Sequence, residues 1–74
     1  MNSTMIRLNS VDEVREFVSA AEKCTFDIDV KYNRIIVDAK SMLGVLSLCS
    51  NAFLVCSHDD NKEFESVLEK FKVS

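Results

Sequence analysis

The chain has 74 residues, enough for one domain with a small core and too few for a second domain or a deep enclosed pocket. Its 47% hydrophobic and 28% charged residues are typical of an ordinary globular protein. The net charge is −3 and the nine Lys and Arg residues are scattered. Because binding to a phosphate backbone needs clustered cations, we expect no nucleic-acid partner.

The sequence also indicates the cellular location of the protein, the state of its cysteines and whether it binds a metal. The sequence has no apolar run of the length of a signal peptide or a membrane span, so we expect a cytoplasmic protein with no membrane partner. Cys24, Cys49 and Cys56 are odd in number and widely spaced, and a single His58 cannot complete a conventional zinc site with them. We therefore expect free thiols that are buried or half-buried, and no metal or cofactor.

The first predicted elements are a strand at residues 4–8 and a helix that begins after Ser10. Ser10 followed by Glu13 is the capping-box pattern, and carboxylates at Asp12 and Glu13 suit the positive end of a helix dipole. The apolar positions recur at helical spacing and should face the core. They are Val11, Val14, Phe17, Val18, Ala21 and Cys24.

The middle of the chain predicts a hairpin and a short helix. Residues 26–32, "FDIDVKY", alternate strictly between apolar and polar, as in a half-buried strand. Asn33 and Arg34 predict a tight turn, because Asn tolerates a positive φ, and residues 35–39 form the returning strand. A short apolar helix capped by Ser41 follows.

The last third predicts a strand, a turn and a helix. Residues 52–57, "AFLVCS", are nearly all apolar, as expected of a central or well-covered strand, and residues 58–61 form a turn and cap cluster. The last helix runs from about residue 61 to 72, with an apolar face formed by Phe64, Val67, Leu68 and Phe71.

The resulting order is β-α-β-β-α-β-α in a single domain over residues 1–74. When the helices lie on one side of antiparallel strands, the apolar stripe of each helix and one face of the sheet are buried together. The predicted fold class is therefore α+β: an open-faced sandwich in which helices cover one face of a four-stranded antiparallel sheet.

Residues 32–48, "YNRIIVDAKSMLGVLSL", resemble the HPr family, the histidine-containing phosphocarrier proteins of the bacterial sugar phosphotransferase system. The similarity runs from about Thr25 to Leu48: an acidic-apolar strand, a tight turn, V-x-x-K-S, two bulky apolar residues, glycine and an apolar-Ser-Leu ending. It is weaker elsewhere and implies an HPr-like fold for the whole chain. The residues on the family signature are Lys40, Ser41, Gly44, Ser47 and Leu48.

The resemblance implies a phosphohistidine at the start of the first helix, followed by Ala-Arg-Pro. Counted back without gaps, Ser10 falls at the histidine position and Asp12 at the arginine position. A serine ester lacks the transfer potential of a phosphohistidine, and Asp12 and Glu13 would repel an incoming phosphate. We therefore expect no catalytic residue and no enzyme, with Ser10 a helix cap and His58 a solvated turn residue rather than a substitute phosphocarrier.

The resemblance also implies a regulatory serine at the start of the second helix, matched by Ser41. Capping alone accounts for a serine here, and capping combined with phosphorylation is the alternative. The apolar residues of this helix cannot all face the core, and in the family the outer ones bind protein partners. The predicted partner-binding residues are Lys40, Met42, Leu43 and Leu46; ordinary packing or a homodimer contact would also account for them.

The leading functional hypothesis is a divergent HPr-like protein of the sugar phosphotransferase system family that binds or regulates through Ser41 and the second helix. By resemblance, its partners would be enzymes of that system, a serine kinase or a transcriptional regulator. Two alternatives stay open: a working phosphocarrier that uses another residue, and a small homodimerising scaffold with no role in phosphotransfer.

Overall fold

The computed structural model describes residues 2–73, and its elements follow the predicted order. The bounds of the helices and strands differ from the predicted bounds by up to two residues. The first strand begins and ends earlier than predicted, and the second strand begins later. The end residues of the predicted 1–74 domain, Met1 and Ser74, lie outside the described part. The elements are β1 (Asn2–Arg7), α1 (Val11–Glu22), β2 (Ile28–Tyr32), β3 (Ile35–Asp38), α2 (Met42–Leu46), β4 (Ala52–Ser57) and α3 (Lys62–Phe71).

The four strands form one antiparallel sheet in the order β1-β4-β2-β3. β4 is central, as its apolar sequence predicts. It pairs with β1 from Asn2↔Ser57 to Arg7↔Ala52, and its other side pairs with β2. The two edges of the sheet are therefore β1 and β3.

The hairpin between β2 and β3 turns at Asn33, which has a φ of 54°. Asn tolerates this left-handed conformation better than most residues, so the predicted two-residue turn is confirmed. It places Tyr32 opposite Ile35 and Val30 opposite Val37. The apolar alternation of β2 is preserved, since Ile28 and Val30 are buried and Lys31 is exposed.

The core lies between the sheet and the three helices. Phe17 of α1 is fully buried at its centre, with ring centroids 6.1 Å from Phe53 of β4 and 5.7 Å from Phe64 of α3. The prediction that Val11 faces the core is wrong, because its side chain is 49% exposed. Helical side chains lean toward the amino end of their helix, so the first helical residue points past that end into solvent.

The three cysteines are free thiols: Cys24 and Cys56 are buried and Cys49 is half-buried, as predicted. Burial raises the pKa of the Cys24 thiol, and the charge of Lys40 opposes that rise only in part. A thiol with a raised pKa stays protonated at neutral pH, so Cys24 is suited to packing rather than to nucleophilic chemistry. No helix within residues 2–73 is long and apolar enough to cross a bilayer.

Candidate functional site

Backbone N–H groups at the amino end of α1 donate hydrogen bonds to side chains of the same segment. Ser10 is extended (φ −146°, ψ 162°), and its Oγ accepts a hydrogen bond from Glu13 N at 3.2 Å. The Glu13 Oε1 atom accepts one from Asn9 N at 2.7 Å, one residue earlier than in a standard capping box. The predicted cap is confirmed, and side chains of the same segment occupy these backbone donors.

The charges at this helix end are mainly acidic. Asp12 and Glu13 lie in the first turn, and Arg15, one turn along, forms an exposed ion pair with Asp12 at 3.7 Å. An anion approaching α1 would meet two carboxylates and an arginine that already has a carboxylate partner. This arrangement disfavours phosphate binding.

His58 lies at the other end of the sheet. Ser10 follows the β1 end that pairs with Ala52, whereas His58 follows Ser57 at the opposite end of β4. A six-residue strand separates these ends by about 17 Å. The ring is exposed, as predicted, but its Nε2 lies 3.3 Å from Asp29 Oδ2, a contact that no sequence pattern indicated.

The start of α2 is held by a compact turn. Ser41 Oγ accepts a hydrogen bond from Gly44 N at 3.2 Å, which confirms the predicted cap. Asp38 accepts twice: its Oδ1 from Lys40 N and its carbonyl oxygen from Ser41 N, both at 2.9 Å. The Ser41 side chain is exposed. Its position is therefore explained by capping, and its hydroxyl remains accessible to solvent.

Gly44 allows α2 to lie close to β3. A Cβ added there would stand 3.2 Å from both Val37 Cβ and Ser41 Oγ, closer than most side-chain contacts allow. The glycine therefore serves helix-on-strand packing within the domain.

The helix α2 carries a small apolar surface, which we call the α2 patch: exposed Leu43, with Met42 and Leu46, which are partly exposed and also pack against the core. Leu43 is 81% exposed and the other two are half-buried, whereas Val45 is fully buried. The expectation that these four residues cannot all face the core is confirmed. A leucine this exposed contributes almost nothing to the core, so a role in contact with another molecule is open to it.

Lys40, predicted as a partner-binding residue, makes an internal contact. Its Nζ donates to Cys24 O at 2.9 Å, close after the carboxyl end of α1. A cation is favoured there by the negative end of the helix dipole. The contact joins the end of α1 to the start of α2, and no local pattern could have predicted it because the two residues are 16 positions apart.

A shallow cleft between β1 and α3 contains none of the predicted site residues. Its lining is largely polar, with carboxylates from Asp60, Glu65 and Glu69. Within the described chain, no group of three His, Cys, Asp or Glu side chains is placed to hold a metal ion. The α2 patch with Ser41 is therefore the surface of interest.

Ser10→Ala should destabilise the domain by about 1 kcal/mol, because it removes the cap of the longest helix. Equilibrium denaturation in urea, followed by circular dichroism, measures the change. Ser19→Ala is the matched control: Ser19 is exposed in the middle of the same helix, where alanine is at least as favourable as serine. Equal changes for the two variants would show that the Ser10 hydroxyl does not stabilise α1.

No family model matches the chain, and no curated protein matches its sequence. Solved structures do match, among them two HPr proteins. HPr-C-His from Thermoanaerobacter tengcongensis is 24% identical with a TM-score of 0.74, over 95% of this chain and 89% of that one. The phosphocarrier protein HPr from Bacillus anthracis str. Ames is 17% identical with a TM-score of 0.72, over 96% of each chain. The predicted α+β open-faced sandwich is confirmed, and this chain has an HPr-like fold.

Proposed function

We propose that the chain is an HPr-like binding and regulatory protein of the sugar phosphotransferase system, and that it is neither a histidine phosphocarrier nor an enzyme. The observation that carries the proposal is the α2 patch, in which Leu43 is 81% exposed beside half-buried Met42 and Leu46. An exposed leucine beside a partly exposed, flexible methionine suits protein contacts.

The amino end of α1 supports the part of the proposal that excludes phosphohistidine chemistry. A phosphoryl carrier needs an imidazole as nucleophile, with donors near it to hold the phosphate. Here Ser10 Oγ and the Glu13 carboxylate accept from the nearby backbone N–H groups. His58 lies beyond the far end of β4 and contacts an aspartate.

Proteins of the sugar phosphotransferase system are the proposed partners. The similar Bacillus anthracis protein is a phosphocarrier, and its fold extends over nearly all of this chain. The partner classes are enzymes of that system, a serine kinase or a transcriptional regulator. Each would contact the α2 patch.

Ser41 is the proposed regulatory residue, in addition to its role as a cap. Its hydroxyl is exposed one residue before Met42, so a phosphate there would place up to two negative charges beside the patch. The Lys40 ammonium is already bonded to Cys24 O. Phosphorylation would therefore act through charge next to an apolar contact rather than by forming an ion pair with Lys40.

Leu43→Asp should weaken binding to the first enzyme of a bacterial sugar phosphotransferase system by at least about tenfold, because it puts a charge in the middle of the apolar contact. The stability of the domain should change by no more than about 0.5 kcal/mol, since the side chain is exposed. Calorimetry with the purified enzyme measures the affinity, and urea denaturation measures the stability.

Met5→Asp is the control, because Met5 is 44% exposed on β1 and lies outside the patch. It should leave the affinity unchanged. A Ser41→Asp variant, compared with Ser41→Ala, tests regulation: only the charged variant should alter the affinity strongly. If Leu43→Asp binds as tightly as the native chain, or if the native chain does not bind, the proposed docking surface is wrong.

A further inference from the structure

The two edges of the sheet are treated differently by the rest of the chain. At the β1 edge, Val73 N donates to Met5 O at 3.0 Å and Ile6 forms a bridge with Lys72, so the residues after α3 cover that edge at Met5 and Ile6. Across residues 2–73, no strand lies on the outer side of β3. β3 therefore presents an open edge.

This open edge is short and ends in a charged residue, Asp38, but it lacks other common protections against strand pairing. Proteins commonly blunt an edge with lysine, proline or a bulge, and β3 has the sequence Ile-Ile-Val-Asp with an unbroken register. Ile35 is 49% exposed and Ile36 is 64% exposed. An apolar edge strand of this kind is suited to pairing with another strand.

The backbone of β3 points hydrogen-bonding groups outward at Ile36. Ala39 N donates to Ile28 O at 3.0 Å, so these two form a hydrogen-bonded pair. Such pairs alternate along an antiparallel ladder, which makes Val37 and Val30 hydrogen-bonded and leaves Ile36 at a non-hydrogen-bonded position. The N–H and C=O groups of Ile36 consequently point away from β2, toward the open edge.

We propose that β3 pairs antiparallel with β3 of a second copy of this chain, centred on Ile36, to form a continuous eight-stranded sheet with two-fold symmetry. The N–H and C=O groups of Ile36 would bond to those of Ile36 in the second copy. The interface is isologous, so every contact away from the axis occurs twice.

The argument for a second copy rather than another strand is charge complementarity. Residues 34–38 are Arg-Ile-Ile-Val-Asp, so pairing about Ile36 places Arg34 of each copy opposite Asp38 of the other. Cross-strand pairs of opposite charge stabilise a sheet. Centring the pairing on Ile35 or Val37 instead would put Arg34 or Asp38 opposite Ile36, so only one register matches the charges.

Asp38 also lies where a positive charge from another chain would be favourable. It is directly opposite Asp29 in the β2–β3 pairing, and like charges at such positions are destabilising. Asp29 has a contact with His58, whereas the Asp38 carboxylate accepts a hydrogen bond from the Lys40 backbone N–H. Arg34 from a second copy would add a positive charge beside this pair of carboxylates.

The paired segment is short, so the dimer is weak and concentration-dependent, below the size class of stable interfaces. Sedimentation velocity from about 10 µM to about 1 mM should show a reversible shift from monomer to dimer, since weak complexes dissociate in this range. Arg34→Asp and Asp38→Arg should each weaken self-association by about tenfold or more, because each replaces two attractive cross-strand pairs with two repulsive ones.

The decisive sample is an equimolar mixture of the Arg34→Asp and Asp38→Arg chains. In a heterodimer of the two variants, each substituted residue lies opposite a residue of opposite charge in the other chain. The mixture should therefore associate about as strongly as the native chain. Recovery also shows that both variants are folded. A further pair isolates the backbone: Ile36→Pro removes the outward N–H and should abolish dimers, and Ile36→Thr keeps it and should not.

Three results would overturn this proposal. They are a monomer throughout the concentration range, self-association that is unchanged in both charge-reversed variants, and a mixture of the two variants that does not regain the self-association of the native chain. Loss of the dimer in Leu43→Asp, with the Arg34 and Asp38 variants unaffected, would place the contact on the α2 patch instead. None of these results bears on the binding of a phosphotransferase enzyme, so the proposed function is tested separately.

Discussion

Phe17→Ala is expected to remove a large part of the stability of this domain. The Phe17 side chain is fully buried between Phe53 and Phe64, and truncating such a phenylalanine costs about 3–5 kcal/mol. At about 0.05–0.15 kcal/mol per residue, a domain of this length has roughly 4–11 kcal/mol in total. The midpoint of thermal unfolding should therefore fall by at least about 12 °C.

Thermal and urea unfolding, followed by circular dichroism, measure this effect. Val11→Ala is the matched control: it also truncates an apolar side chain of α1, but one that is 49% exposed. That variant should stay within about 0.5 kcal/mol of the native chain. If the two variants lost similar stability, Phe17 would not be the centre of the core.

The second large effect is expected in phosphotransfer. With phosphoenolpyruvate and the first enzyme of a bacterial sugar phosphotransferase system, the chain should take up less than about one hundredth of the phosphate that an HPr phosphocarrier accepts, because no imidazole is available at the start of α1 to act as nucleophile. Ser10 caps the helix there, and Asp12 and Glu13 repel anions.

Labelling with radioactive phosphate measures the uptake, and the stability of the label identifies the bond. Phosphohistidine is lost in acid and survives base, whereas phosphoserine survives acid. His58→Gln is the control and should leave the background unchanged. Near-stoichiometric, acid-labile labelling that disappears in His58→Gln would make His58 a phosphocarrier and would refute the proposed loss of this chemistry.

Features that depend on residues close in sequence were predictable. The caps at Ser10 and Ser41 each bond to a backbone N–H three residues later, and the turn at Asn33 needs one residue that accepts a positive φ. The alternation of residues 26–32 likewise required only neighbouring side chains. Such features follow from backbone geometry over a few residues, which the sequence expresses directly.

The resemblance of residues 32–48 to the HPr family extended these local predictions to the whole fold. The order of the elements had already predicted an antiparallel sheet with helices on one face, and the resemblance added that this sandwich is HPr-like; the structure confirms both. The role of Ser41 and of the apolar residues around it depends on partners outside the chain, so it stays a prediction.

Only the tertiary structure decided which distant residues meet. It placed His58 in contact with Asp29, and Lys40 in contact with Cys24 O. It also set the strand order, which leaves β3 at an open edge of the sheet. The reason is physical: periodicity along one segment says which side chains share a face, whereas pairing between segments is chosen by the packing of the whole chain.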